Sequence, residues 1–344
     1  MHGDALLQSC AICKKSIHRN RTHMPYSIER MPTVGFGLWK ISPSECERTV
    51  FEAVKAGYRH FDSACDYGNE VEVGRGLRRA IDAGLCTRDD LWITSKLWNT
   101  YHSPEHVPLA LSRTLTDLQL DYLDLYLIHF PIALEFVPFE DRYPPEWVHD
   151  PHSDSPRMLP AKVPLSETWK AMEHLKRDQR TRHIGICNYS SSLLHDLMNS
   201  CEQPPEVLQI ESHPRLTQER LIRTAKQYGL AVTAFSPLGA SSYVELDLAQ
   251  NTESLLQHTV IETISESLDC SPAQVLLAWA LQRQTSVVVK STQPQRMREN
   301  LAATRITLSA EQHDAISDLN EDRRFNDPGD FCEGAFNTFH TIYD

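Results

Sequence analysis

"YRHFDSACDYGNE", residues 58–70, reads as a short β-rich run that stops in polar turn residues carrying Asp62, Asp66 and Tyr67. Asp, Gly and Asn are ordinary turn formers, and a Tyr can simply plug the end of a core. The stretch decides the fold because it opens a series. Similar runs follow at 91–98 ("LWITSKLW"), 122–130 ("YLDLYLIHF"), 181–189 ("TRHIGICNY"), 207–214 ("VLQIESHP"), 230–238 ("LAVTAFSPL") and 286–292 ("SVVVKST"), with a weaker one at 303–309 ("ATRITLS"). Helical patterns separate them, such as "SPEHVPLALSRTLTDLQL" with its Ser-Pro start and "TQERLIRTAKQYGL", where Thr217 is the expected cap and Gly229 the stop. Alternating β and α units imply a parallel sheet, since parallel neighbours need a helical crossover. Eight units predict a closed (β/α)8 TIM barrel of the α/β class.

An open doubly wound sheet is the rival, and it usually announces itself by G-x-G-x-x-G in its first βα turn. Here "GFGLWK" (35–40) has Lys40 at the third glycine position. "GRGLRR" (74–79) has Arg79 there and falls inside a helical pattern. Residues 26–41 are then expected to form an N-terminal β-hairpin closing the barrel floor, with Gly35 and Gly37 as its bends. Two connections are too long for simple turns: 131–164, with eight of the twenty prolines, and the Ser- and acid-rich 239–253. Long ordered loops after barrel strands belong to the face where such folds keep their sites.

Composition narrows the function classes. The chain has 344 residues, is 41% hydrophobic, and contains no apolar run approaching the ~20 residues of a membrane span. A net charge of -12 argues against a sequence-independent grip on nucleic acid. Nine scattered cysteines, an odd number, suit a reducing, cytoplasmic setting better than a disulfide framework. Residues 1–24 read as a flexible basic tail, leaving 25–344 for the barrel. Within the tail, Cys10, Cys13, His18 and His23 form a C-x2-C-x4-H-x4-H pattern. Its central spacer is much shorter than a zinc finger's and no apolar set surrounds it, so no metal is expected.

In a closed barrel the C-terminal ends of the strands meet around one mouth. Asp62 and Tyr67 would end one strand, Lys96 the next and His129 the third. A free Tyr is a poor acid near neutrality and needs an adjacent cation to stabilise its phenolate. Lys96 would supply that charge, Asp62 would hold Lys96, and His129 would orient an incoming oxygen.

The set "GFGLWK", "FDSACDYGNE", "SKLWN", "YLDLYLIHF", "GICNYS", "QIESHP", "AFSPLG" and "VVVKSTQPQRMREN" resembles the aldo-keto reductases over residues 26–344. "FVPFEDRYPPEW" and "RFNDPGD" are most similar to the xylose reductase and aldose reductase branch. The resemblance implies reduction of an aldehyde or ketone, an aldose such as xylose above all, with hydride from NADPH or, less favourably, NADH. Tyr67 would be the general acid, and Asp62, Lys96 and His129 its support.

It further implies Asn188 and Gln209 at the nicotinamide carboxamide, Phe235 stacked on the ring, and Ser236, Leu238 and Ser241 along the pyrophosphate. Lys290, Ser291, Thr292, Arg296, Glu299 and Asn300 would surround the adenosine, with the two cations on its 2′-phosphate. A strand ending in Lys-Ser and entering a helix with Arg is also a sensible phosphate site on chemistry alone. Glu245 is the expected partner of the adenosine ribose. Two positions depart from the pattern: Phe235 stands where Tyr is usual, and Cys187 where Ser is usual, which weakens one hydrogen bond to the carboxamide.

For the substrate, Trp39, Trp98 and Phe130 are expected as an apolar collar, and Asp66 and Asn326 as partners of sugar hydroxyls. "GDFCEGAF", after Pro328, lacks the aromatic usual in the branch, so the pocket wall there is expected to be more open. The expected partner is a small-molecule carbonyl compound, with the protein a monomer or weak homodimer. Three other readings remain: a broad-specificity aldehyde reductase, a non-catalytic binding protein on a reductase fold, and a barrel hydrolase using Asp62 and Asp66 as paired carboxylates.

Overall fold

The computed structural model describes residues 28–343. The tail and the Cys10, Cys13, His18, His23 pattern lie outside the described residues. Met31–Asp344 is one compact unit, and its eight strands form a closed barrel in chain order. They are β1 (Val34–Gly37), β2 (His60–Asp62), β3 (Trp92–Leu97), β4 (Leu123–Ile128), β5 (Thr181–Cys187), β6 (Val207–Glu211), β7 (Ala231–Phe235) and β8 (Ser286–Val289). All neighbours pair parallel. Helices fill every crossover, two of them between β7 and β8. The strands face helices on one side and the packed interior on the other. This is why β3 and β4 are buried at all six positions and read as runs rather than as alternations.

The count of eight is right, but its membership differs from the sequence reading. Residues 34–37 are not a hairpin: β1 pairs with β2 through Phe36↔Phe61 and with β8 through Val34↔Val287, and so closes the ring. Gly35 and Gly37 are not bends either. A Cβ at Gly35 would lie 2.8 Å from His60 Nδ1, and one at Gly37 3.1 Å from Val288 Cγ1, so the glycines admit neighbouring side chains. "ATRITLS" is a 3-10 turn, Ala303–Arg305, followed by an extended link into the helix Ala310–Ser317. With the ring closed, no edge was left for it to pair with.

The helix of "TQERLIRTAKQYGL" spans Glu219–Gln227 and starts at Gln218 rather than Thr217. Thr217 instead donates its backbone N–H and hydroxyl to Asn320 Oδ1. "GRGLRR" does lie inside a helix, Glu70–Asp82, where a Cβ on Gly74 or Gly76 would strike the backbone of Leu118 or Glu47. Both glycines serve close helix packing, not phosphate binding.

Candidate active site

Tyr67 sits in a 3-10 turn, Cys65–Tyr67, directly above the end of β2. Lys96 on β3 is 1% exposed, and a buried ammonium is costly unless it is paired. Its Nζ donates to Asp62 Oδ1 at 2.5 Å, to the Ser63 carbonyl at 2.8 Å and to Tyr67 Oη at 3.1 Å. Burial works against the Lys96 charge, yet Asp62 and the Tyr67 oxygen more than offset it and hold the lysine well above its ordinary value. Burial likewise pushes the Tyr67 phenol up, with Lys96 pulling the other way. At neutral pH the phenol is therefore in its proton-bearing form, beside a cation that eases loss of that proton.

The fourth member, His129, follows β4. Its ring lies 6.0 Å from the Tyr67 ring, edge to face, and 5.5 Å from that of Trp98. His129 Nδ1 is 3.0 Å from Asp66 Oδ1, at an angle outside hydrogen-bonding geometry. Asp66, expected against sugar hydroxyls, thus turns one oxygen to His129 and leaves at most Oδ2 for a substrate. The hydrolase reading loses its free carboxylate pair, because Asp62 is held by Lys96 and by Gln209 Nε2 at 2.7 Å.

The residues expected around the cofactor fall along the ends of β5 to β8. Asn188 and Gln209 are buried at the mouth; Asn188 donates to the His129 carbonyl at 2.9 Å and to Cys187 Sγ at 3.2 Å. The Cys187 thiol donates to Gln209 Oε1 at 3.7 Å, the long, weak contact a sulfur makes. Asn188 and Ser236 have φ of 62° and 50°, left-handed backbone in non-glycine residues, a strain that clusters at ligand sites. Phe235 ends β7 half-buried, Ser236 bonds Tyr243 Oη at 2.8 Å, Leu238 is half-buried and Ser241 is exposed.

Lys290 follows β8 and is exposed, as are Thr292 and Arg296; Ser291 is half-buried. Arg296 lies in the first turn of the helix Pro294–Ala302, where unpaired backbone N–H groups add to its charge. Glu299 accepts from Gln295, and Asn300 is buried beside Tyr58. Buried carboxamides, an accessible aromatic face and two exposed cations at a helix start are the donor set a nicotinamide dinucleotide phosphate requires. Glu245 has a partner already: Lys40 donates to it at 2.7 Å and to the Ser242 carbonyl at 2.6 Å, holding its carboxyl below the usual range.

The expected collar is split in two. Trp98 and Phe130 are buried with His129 in one cluster, capped by Trp147, whose ring is 4.8 Å from Trp98 and 5.1 Å from Phe130. Trp39 stands in another with Tyr243, 5.8 Å away, and Phe325. The wall after Pro328 is not open: the helix Pro328–Phe336 brings Phe331 to 5.3 Å and Phe336 to 6.3 Å from Trp147.

Several residues at this mouth escaped the sequence reading. Trp147 lies in the proline-rich 131–164 loop, which Trp98 holds by donating its Nε1–H to the Glu146 carbonyl at 3.0 Å. Asn69 donates to the carbonyls of Leu38 and Ile41, both at 3.0 Å, and so fixes the Trp39 segment. Glu70 collects the hydroxyls of Ser95 (2.6 Å), Thr114 (3.0 Å) and Ser63 (3.4 Å) behind the Lys96 pair. Each lies in a quoted motif, but nothing in the sequence says which distant ring, hydroxyl or carbonyl it meets.

Comparison with known proteins agrees with this geometry. Residues 33–321 match the model of the aldo/keto reductase family. An NADPH-dependent D-xylose reductase of Meyerozyma guilliermondii is 46% identical over 303 residues, 88% of this chain and 95% of the relative. An NADPH-dependent aldose reductase of Saccharomyces cerevisiae is 45% identical over 315 residues, 90% and 96% of the two chains. Among solved structures, aldose reductase from Giardia lamblia superposes with a TM-score of 0.82 at 36% identity, covering 92% of this chain and all of that one. The chain belongs to the aldo/keto reductase family.

Proposed function

We propose that the protein reduces open-chain aldoses, D-xylose foremost, to alditols with NADPH as reductant, and accepts NADH less well. The observation that carries the reading is the buried chain Asp62–Lys96–Tyr67, with His129 edge-on to the phenol. NADPH, when bound, supplies the hydride that reaches the carbonyl carbon. The residues of the chain do the rest. Tyr67 Oη gives its proton to the carbonyl oxygen, and Lys96, 3.1 Å away, stabilises the phenolate that remains. Asp62 keeps Lys96 in place, and His129 orients the oxygen toward Tyr67.

Asn188 and Gln209 would hold the nicotinamide carboxamide, and Phe235 would stack beneath the ring. Ser236, Leu238 and Ser241 would follow the pyrophosphate, while Lys290 and Arg296 grip the 2′-phosphate. Trp39, Trp98 and Phe130 back the apolar side of the carbonyl pocket; Asn326 would meet the sugar hydroxyls. A monomer or weak homodimer in the cytoplasm fits the reading. Seven free cysteines among the described residues support a reducing setting, and no helix there is long and apolar enough to cross a membrane.

A panel of aldoses, aromatic aldehydes and ketones, followed by NADPH absorbance, tests the proposal with wild type and Tyr67→Phe. D-xylose should be reduced by the wild type, and Tyr67→Phe should lose 10²- to 10⁴-fold in kcat with NADPH binding intact. Turnover of hydroxyl-free aldehydes but not of xylose would leave a broad-specificity aldehyde reductase.

A further inference from the structure

Glu211, the last residue of β6, is fully buried, although it ends a strand at the open face of the barrel. A carboxylate in such a place must find donors. His213 Nε2 donates to Oε1 at 2.8 Å. The other two come from far along the chain: the backbone N–H of Phe325 donates to Oε1 at 3.0 Å and that of Asn326 to Oε2 at 2.9 Å. One carboxylate thus grips two consecutive amides of the C-terminal segment, one with each oxygen.

The surroundings reinforce the grip without replacing it. Phe325 stacks on Tyr243 at 5.6 Å and lies 5.2 Å from the His213 ring. Farther out, Arg323 pairs with Glu253 at 2.9 Å and its N–H bonds the Arg215 carbonyl. These contacts dock the segment, and the Asn326 side chain also hydrogen-bonds Tyr243; the bond from its backbone N–H to Glu211 fixes where that residue's backbone stands.

We infer that Glu211 is a specificity-determining positioning residue: it sets Asn326 against the sugar hydroxyls by holding the backbone, and it touches neither substrate nor cofactor. The inference rests on the aldose reading above. It follows from satisfaction of a buried charge, since undocking the segment would strip Glu211 of two of its three donors. Aldose selectivity is thereby tied to a carboxylate on β6, which a reading of "QIESHP" alone does not disclose.

Glu211→Gln tests it, because its amide must turn an NH2 toward one of the two N–H groups and lose that bond. With NADPH saturating, KM for D-xylose should rise tenfold or more, while kcat/KM for butanal, which has no hydroxyls to place, changes less than threefold. Equal losses on both substrates, or an unchanged KM for xylose, would overturn the inference. Asn326→Ala serves as reference: if it costs xylose turnover selectively and Glu211→Gln does not, the anchor fails and the aldose reading stands. If wild type reduces butanal but not xylose, the aldose reading fails and takes the selectivity role with it. Should Glu211→Gln not bind NADPH, amide hydrogen exchange in the wild type decides. The N–H groups of Phe325 and Asn326 should be strongly protected, and exchange at the rate of unbonded amides would overturn the anchor.

Discussion

Gln209 Nε2 donates to Asp62 Oδ2 at 2.7 Å, joining β6 to β2 across the barrel mouth. The opposite oxygen of that carboxylate carries Lys96. Gln209→Leu would leave a buried carboxylate oxygen without its donor, a loss of about 1.5–3 kcal/mol. Urea unfolding should show it, and kcat should fall alongside NADPH affinity. A drop in NADPH affinity with stability and kcat unchanged would mean that Gln209 serves the cofactor alone.

Arg296→Ala should weaken NADPH at least tenfold and leave NADH almost unchanged, because a charged hydrogen bond of about 1.5–3 kcal/mol exists only with the 2′-phosphate. Fluorescence titrations with both nucleotides read this directly. Equal losses would show that the phosphate is held elsewhere.

Asp66 and Asn326 should separate by substrate. Asp66 faces His129, so Asp66→Ala is expected to lower kcat/KM for xylose and for butanal together, by about tenfold. Asn326→Ala should cost about as much with xylose and little with butanal, since unpaired polar groups penalise only the substrate built to meet them. Steady-state kinetics on the four combinations is the check.

Glu70 gives a pH signature. Burial pushes its carboxyl up to about 7; Ser95 and Thr114 pull the other way, and Asp117 and Asp66 add to the rise. The folded chain therefore binds this proton more tightly than the unfolded chain does. Stability is full below the ordinary carboxyl value of 4.5 and declines as pH climbs toward 7, by about 3 kcal/mol in all. Glu70→Gln removes that decline. Urea midpoints at pH 5 and pH 8 should converge in the variant and stay apart in the wild type; parallel behaviour would refute the assignment.

The long strands were legible because their signal is local, and the convergence of Asp62, Tyr67, Lys96 and His129 followed from their places at strand ends once a barrel was assumed. "LWITSKLW" and "YLDLYLIHF" bury every strand residue, and Lys96 and His129 stand near or just past their ends. Val34–Gly37 was not legible: it is only four residues long, and its two glycines weaken the β signal of Val34 and Phe36. Its identity lies in Val287 and His60, distant residues that need it there. The same holds for Glu211 and Trp147. Their partners, the Phe325 and Asn326 amides and the Trp98 ring, come from segments far along the chain or across a proline-rich loop. For Asp66 the motif fixes position without direction, and nothing in it says that Oδ1 would face His129.

Of the eight strands β1 is made first and β8 last, yet the two must pair to close the ring. The pairing Val34↔Val287 joins nearly opposite ends of the described chain. During synthesis β2 to β7 can add one after another, each beside a neighbour already made, while both flanks of the growing sheet stay unpaired. Such flanks invite association with other chains. Closure is thus a late, non-local event, and a chain that stopped before Ser286 would lack the strand that completes the ring and leave β1 and β7 as open edges.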